Sequence, residues 1–400
     1  MPFRTSCYFV SLFFPFILLC GAFPAVAQNR VEKLLNKAGF ENVRHISKPG
    51  KDIIFLENSS YTNKQKSINI AREEIELLRQ EFNSSNVDVI IMEEKIPILR
   101  MYTTFLEEEV APVWKSDFVF DEGMKEIKSL KKEMFEYKSA GKLDIKFYPV
   151  FRFKNSRLDV MYLLQFNINP TLEVSLWRGA KATAQVIFPV VNDYSIEEGR
   201  IRPGFITVSQ QFRLPSNFYG MITIGNFSML RGGVDLKLYK SITKSVGVYA
   251  QASYTAYSFP MFDNWLYSGF DKFTWKVGAS YVYKPLKMII NASVNKYLAN
   301  DISVRAEITR YFRNAAVGFY VQSMTIPEYP INGGFFFAIS LPPYKHNRDK
   351  FVRVSSGNYF SLEYIARPYM QHGRYFTTSP DENSSYNFFN RIQLNQLFDN

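Results

Sequence analysis

The sequence predicts a mainly β fold: an antiparallel transmembrane β-barrel of about 12–14 strands, preceded by a small periplasmic α+β domain. Three observations predict it. The stretch Met288 to Leu341 alternates apolar and polar residues across short turns; Ile302, Val304, Ala306 and Ile308 interleave with Ser303, Arg305, Glu307 and Thr309. Successive strand side chains point to opposite faces, so each such strand has one apolar and one polar side. The same pattern runs back to about residue 142 with few helical signals. The chain also opens on an export leader, and beyond it no stretch is long and apolar enough for a transmembrane helix, so only strands would span a bilayer.

The leader comes first. Arg4 supplies the basic n-region, Tyr8 to Leu19 the apolar h-region, and Ala25-Val26-Ala27 the small-x-small cleavage site. Residues 1–27 read as a signal peptide. Both cysteines, Cys7 and Cys20, lie within it. The remaining chain therefore offers no disulfide framework, thiolate metal site or cysteine nucleophile. Export without helical spans fits the periplasm or outer membrane of a Gram-negative bacterium.

Residues 28–141 read as the α+β module. Residues 30–38 form a short amphipathic helix ended by Gly39. Strands are expected over 40–46 and 52–57 around a Lys48-Pro49-Gly50-Lys51 turn. A helix over 63–83 carries Ile68, Ala71, Ile75, Leu78 and Phe82 at three- and four-residue spacing. Strands at 87–92 and 96–103 follow. Glu107-Glu108-Glu109 has no nearby histidine and reads as a solvated loop. Met124 to Ser139 reads as a charged helix with one apolar stripe, and Gly141 ends the module.

Residues 142–366 carry fourteen candidate strands, from 142–153 to 357–366; bacterial single-chain barrels favour even numbers. Two of them, 157–168 and 171–177, flank Asn169-Pro170, and residues 255–270 read as a long aromatic loop. Strand lengths of about 8–12 residues suit a tilted crossing. The 37 Phe, 25 Tyr and 4 Trp would supply interfacial girdles. Charge divides unevenly: 18 Lys+Arg against 20 Asp+Glu in 28–141, but 29 against 17 in 142–400. The basic excess would meet lipopolysaccharide head groups at the rim or an anionic polymer in the lumen. Residues 367–400 fit the sheet pattern poorly, and the polar stretch 377–388 reads as a flexible C-terminal segment.

The inward polar face is where function is sought. Alternation places Lys146, Glu173, Lys237, Lys276, Asn291, Asn295, Arg305 and Glu307 there, with Gln185 and Gln251. Such groups would hydrogen-bond sugar hydroxyls and steer an anionic polymer, or else pair with one another and plug the barrel, as the neighbours Arg305 and Glu307 could. His45, His346 and His372 are too scattered for a metal set, and no nucleophile elbow or phosphate loop occurs. No catalytic residue, cofactor or metal is expected.

Residues 295–341 carry a resemblance. Asn-Lys-Tyr-Leu-Ala-Asn-Asp at 295–301, the strand ending Thr309-Arg310-Tyr311-Phe312, then Ala315 to Tyr320, and Asn332-Gly333-Gly334 leading to Leu341-Pro342 resemble the signature of the YjbH-type exopolysaccharide family. Tyr297, Leu298, Ala299, Asp301, Arg310, Phe312, Val317, Gly318, Gly334 and Leu341 match its pattern; Asn295, Lys296 and Asn300 replace Gly, Arg and Gly. Ala38 to Val43, Leu56-Glu57-Asn58 and Ala366-Arg367-Pro368 are more weakly similar to other family segments. The resemblance implies an outer-membrane barrel serving secretion or assembly of an exopolysaccharide or capsule, beside an outer-membrane polysaccharide exporter and periplasmic accessory proteins. It brings no catalytic residue. A structural scaffold for periplasmic partners and a barrel enzyme acting on envelope glycans through Glu173 or Glu307 are the alternatives.

Overall fold

The structure is a computed structural model that describes residues 30–61, 64–105, 112–117, 139, 141–154, 163–325, 330–346, 351–366 and 372–397. The leader, the expected helix at 124–139 up to its last residue, and the Glu107-Glu108-Glu109 run lie outside the described residues.

The N-terminal module is a five-stranded sheet in sequential order: β1 (Phe40–Lys48), β2 (Lys51–Asn58), β3 (Asn86–Glu93), β4 (Ile96–Thr104) and β5 (Lys115–Asp117). Its helices are α1 (Arg30–Ala38) and α2 (Lys64–Leu77). β2 and β3 pair in parallel and the other neighbours antiparallel, as the α2 crossover between β2 and β3 requires. Alternation decides the packing. Ile54, Leu56, Val87, Val89 and Ile91 face Leu35, Ile68, Ala71 and Ile75 of the helices, while Ile53, Phe55, Ile90 and Met92 form a second cluster. Gly39 ends α1 at φ +122°, and a Cβ there would lie 2.9 Å from the Tyr61 ring. The expected helix at 63–83 is shorter: α2 stops at Leu77 and a 3₁₀ turn spans Arg79–Glu81. Phe82 leaves the helical stripe to stack on Phe105 at 6.2 Å.

The second sheet holds fifteen strands. It begins with β6 (Leu143–Lys154), β7 (Leu163–Ser175), β8 (Ala180–Ile187), β9 (Pro189–Asn192), β10 (Arg202–Leu214), β11 (Phe218–Phe227), β12 (Arg231–Ser241) and β13 (Val246–Pro260). It continues with β14 (Trp265–Tyr283), β15 (Met288–Lys296), β16 (Ile302–Tyr311), β17 (Ala315–Ser323), β18 (Ile331–Ser340), β19 (Val352–Ser356) and β20 (Tyr359–Ile365). The path is β19-β6-β7-β8-β10 and then sequential to β18-β20, with β9 paired to β7. Every pair is antiparallel except β19–β6. The two ends of the path, β19 and β20, are separated only by Gly357-Asn358, and the Gly357 amide bonds the Phe147 carbonyl at 2.8 Å. Counting β19–β20 as one strand position and leaving β9 aside gives thirteen positions among the described residues. At one end of the path β19 lies parallel to β6.

Three expectations change. Residues 157–162 lie outside the described residues; from residue 163 onward the strand expected at 157–168 runs without a break into the one expected at 171–177 as a single strand, β7. Pro170 does not break it, because on one side it faces the gap between the β9 ladder, which ends at Asn167, and the β8 ladder, which starts at Thr171; no donor is needed there. Residues 255–270 are not a loop: β13 and β14 extend through most of them, bulged at Thr255/Ala256 and Ala256/Ser258, with Tyr254 and Phe270 stacked across the pair at 4.9 Å. Within the C-terminal segment, residues 372–397 are placed against the sheet and end in α3 (Phe388–Leu397), where the polar composition of 377–388 suggested flexibility. Thr378, Asp381, Ser385, Asn390 and Gln393 are buried because the sheet face around them is itself polar. No described helix is long and apolar enough to cross a membrane.

Candidate functional site

The large sheet is polar on its buried face and apolar on its exposed one. On β12, Asp235, Lys237 and Tyr239 are buried while Val234 is exposed. On β15 and β16, Asn295 and Thr309 are fully buried, whereas Val304 is 58% exposed. Phe319 on β17 is 64% exposed beside buried Gln322. The exposed side includes Leu164, Ile168, Ile224, Val248, Val277, Ile308 and Val321. This inverts the pattern by which a water-soluble domain buries its apolar side chains.

The polar face curls around residues 372–397. Strands from both ends and from the middle of the path touch that one segment. Tyr148 of β6 donates to Asp381 at 2.7 Å. Lys237 of β12 donates to Thr378 at 2.8 Å and pairs with Glu382. The Ser253 and Tyr375 hydroxyls lie 2.7 Å apart. Tyr311 of β16 donates to the Ser385 carbonyl at 2.6 Å, and Tyr359 of β20 stacks on Tyr386 at 3.7 Å. The segment runs end to end. Gly373 donates to Asp301 in the β15–β16 turn and Thr377 bonds Ser228 in the β11–β12 turn. At the opposite end Phe389 stacks on Tyr249 at 4.6 Å and Gln393 bonds Ser280.

The eight residues singled out by alternation all lie on this face, and most already have protein partners. Lys146 bonds Glu173 at 3.1 Å and approaches Asp381 at 3.7 Å. Glu173 also takes Lys181 at 3.5 Å. Lys237 lies 3.7 Å from Asp235 besides its Glu382 pair. Lys276 sits over the Tyr375 ring at 5.6 Å. Asn291 reaches Asn390 at 3.5 Å and Asn295 bonds Ser293 at 3.0 Å. Arg305 bonds Glu307 at 2.9 Å and lies over Tyr320. Lys181, Asp381, Glu382 and Arg391 went unseen in the sequence. Lys181 shares a face with Thr183 and Gln185 on β8, so alternation was the available signal; the other three lie outside any strand.

The module closes one end of the sheet. The β3–β4 hairpin tip, where Glu94 and Lys95 have φ of +48° and +63°, meets the β7–β8 turn. The Gly179 amide donates to the Glu94 carbonyl at 2.8 Å, and Ser175 donates to the Glu94 carboxylate at 2.8 Å. Tyr219 and Arg213 bond the Pro97 carbonyl, Lys142 pairs with Glu41 at 2.7 Å, and Arg391 of α3 approaches Glu93 at 3.6 Å. Gly179 (φ +79°) has no room for a side chain: a Cβ would lie 2.2 Å from the Gln211 carbonyl oxygen. A cavity of about 240 Å³ opens where module, sheet and C-terminal segment meet, lined among others by Glu57, Glu94, Lys146, Glu173, Arg353 and Asp381. Burial, reinforced by the Glu94 charge, raises the Glu57 carboxyl to about 7 against the opposing Asn42 hydrogen bond. Burial also raises Glu94, although Lys181 opposes it.

No protein-family model and no curated protein matches the chain. Among solved structures, a triple mutant of Rh. blastica porin matches 56% of this chain and 98% of its own at 7% identity, with a TM-score of 0.33. A further mutant of the same porin matches 55% and 94% at 8% identity, with a TM-score of 0.29.

Proposed function

We propose that the chain is a closed outer-membrane β-barrel of a Gram-negative bacterium that assists secretion or assembly of an exopolysaccharide or capsule. The inverted sheet is the observation that carries the membrane half: an apolar outer surface around a polar interior suits a bilayer and not water. Covalent adjacency of β19 and β20 supports closure. Several turns at the module end are short, including Pro215–Asn217, Ile242–Ser245 and Phe312–Asn314, although residues 341–351 form a longer connection there, and residues 193–201 form a long one at the far end. Short periplasmic turns and longer outer loops are usual in such barrels, so the module end is read as periplasmic.

The resemblance to the YjbH-type family carries the polysaccharide half, and the basic excess of residues 142–400 suits lipopolysaccharide at the rim and an acidic polymer. An outer-membrane polysaccharide exporter and periplasmic accessory proteins are the proposed partners, met through residues 28–141. The reading assigns no catalytic step. Glu173 and Glu307, the best candidates for glycan chemistry, are each held in ion pairs. Removing the chain from its host should lower surface polysaccharide. Unchanged surface polysaccharide would remove the export half and leave a scaffold, a reading favoured by the C-terminal segment that fills the polar interior.

A further inference from the structure

We propose that residues 373–397 are a displaceable plug whose Asp381 and Glu382 occupy the lumen lysines that, once the plug leaves, take the carboxylates of an acidic polysaccharide. The inference rests on the barrel reading above and names the ligand class for its interior.

Charge supplies the first argument. On the wall facing the middle of the segment stand Lys146, Lys181, Lys237 and Lys276; among the described residues the wall carboxylates within ion-pair distance of them are Glu173 and Asp235, and Glu94 of the module also acts on Lys181. Asp381 and Glu382 make up the difference by approaching Lys146 and Lys237. Lys276 has no carboxylate within ion-pair distance among the described residues; it rests on the Tyr375 ring. Withdrawing the segment, which also takes Arg391 from beside Asp381 and Glu382, leaves those four lysines facing Glu173, Asp235 and Glu94 in a confined, water-filled space, where such a field concentrates anions. A uronate-bearing chain presents carboxylates equivalent to those of Asp381 and Glu382.

Hydrogen bonding supplies the second. The Thr223 and Thr309 hydroxyls and the Asn291 and Asn295 carbonyl oxygens are buried with no hydrogen-bond partner among the described residues, as are Ser379, Ser385 and the Gln393 carbonyl oxygen on the segment. The wall thus offers more hydrogen-bonding groups than the plug uses, and a polyhydroxyl chain could engage them. Most links between the segment and the wall along the middle of the lumen are individual polar contacts, which a competing polar ligand can replace one at a time.

The test uses the full chain in planar bilayers, with polygalacturonate oligomers as the acidic probe and dextran oligomers of equal length as the neutral one. The variant Asp381→Asn/Glu382→Gln weakens the plug. A second variant, Ser228→Cys/Thr377→Cys, locks it: the two hydroxyls lie 3.0 Å apart, and the only native cysteines fall in the leader. The expected result is a roughly tenfold or larger rise in open conductance for the weakened variant. Polygalacturonate, and not dextran, should block that current, with block weakening as salt is raised. Added to the weakened variant, the lock should hold conductance low until a reductant is added. Variants that insert and show heat-modifiable mobility, yet conduct like the parent with and without reductant, would overturn the plug. Equal block by dextran would overturn the acidic ligand class. Failure of the parent chain to insert would overturn the barrel reading, and the proposal with it.

Discussion

Glu57→Gln isolates the electrostatics of the junction between the module and the large sheet. The Glu57 carboxylate accepts from Asn42 at 2.6 Å and from the Lys95 amide at 3.2 Å, and burial with the nearby Glu94 raises its pKa from 4.5 to about 7. Because the folded state holds this proton more tightly than the unfolded state, stability is highest at low pH. It falls as pH rises from about 4.5 to about 7, then levels off. A shift of that size corresponds to at most about 3 kcal/mol. Gln keeps an acceptor for both hydrogen bonds but has no proton to lose. The variant should match the parent near pH 4.5, exceed it near pH 8 by up to about 3 kcal/mol, and lose the part of the slope that Glu57 supplies while keeping that of Glu94. Hydrogen exchange of the β3–β4 hairpin, corrected for intrinsic rates, reads the opening free energy across that range. Parent stability that rises with pH, or a variant that keeps the parent's slope, would refute the reasoning.

Other perturbations follow from single contacts. Lys237→Met strands Glu382 and Asp235 in a buried site and should destabilise seating of the C-terminal segment by about 3–5 kcal/mol, seen as faster tryptic cleavage at Arg374 and Arg391; Lys276→Met, which breaks no ion pair, should change cleavage far less. Gly179→Ala places a methyl against the Gln211 carbonyl at positive φ and should cost about 1–3 kcal/mol, read as increased exchange of the residue 179 amide, which donates to the Glu94 carbonyl. Val304→Lys on the exposed face should reduce folding into lipid vesicles by about 2–4 kcal/mol if the residue sits near the bilayer midplane; unimpaired folding would argue against lipid contact there.

The period-two alternation was legible because every residue of a two-faced strand must choose a side, so Val304, Arg305 and Glu307 could be assigned faces one by one. That rule does not identify which face meets water, nor what lies against it. The flexible reading of 377–388 failed for this reason: polar composition normally signals solvation, but here the surrounding sheet face is also polar. The Lys237–Glu382 pair spans 145 positions, and no local pattern links its members. Pro170 misled because its missing donor matters only if a partner strand needs it, which depends on where β8 and β9 end. The extended β13–β14 pair was hidden by bulges that break the alternation at Thr255 to Ser258. In the module α1, α2 and strands β1 to β4 were legible from spacing, whereas β5 was not, and the contact of the Glu94 tip with Gly179 depends on two turns 85 positions apart.

The central claim is that the apolar outer face meets lipid. Fractionating cells that carry the tagged chain, and comparing its gel mobility before and after boiling in SDS, tests this most directly. The account predicts recovery with the outer membrane and a heat-dependent mobility shift. Release with the soluble periplasmic fraction, with one mobility at both temperatures, would contradict it.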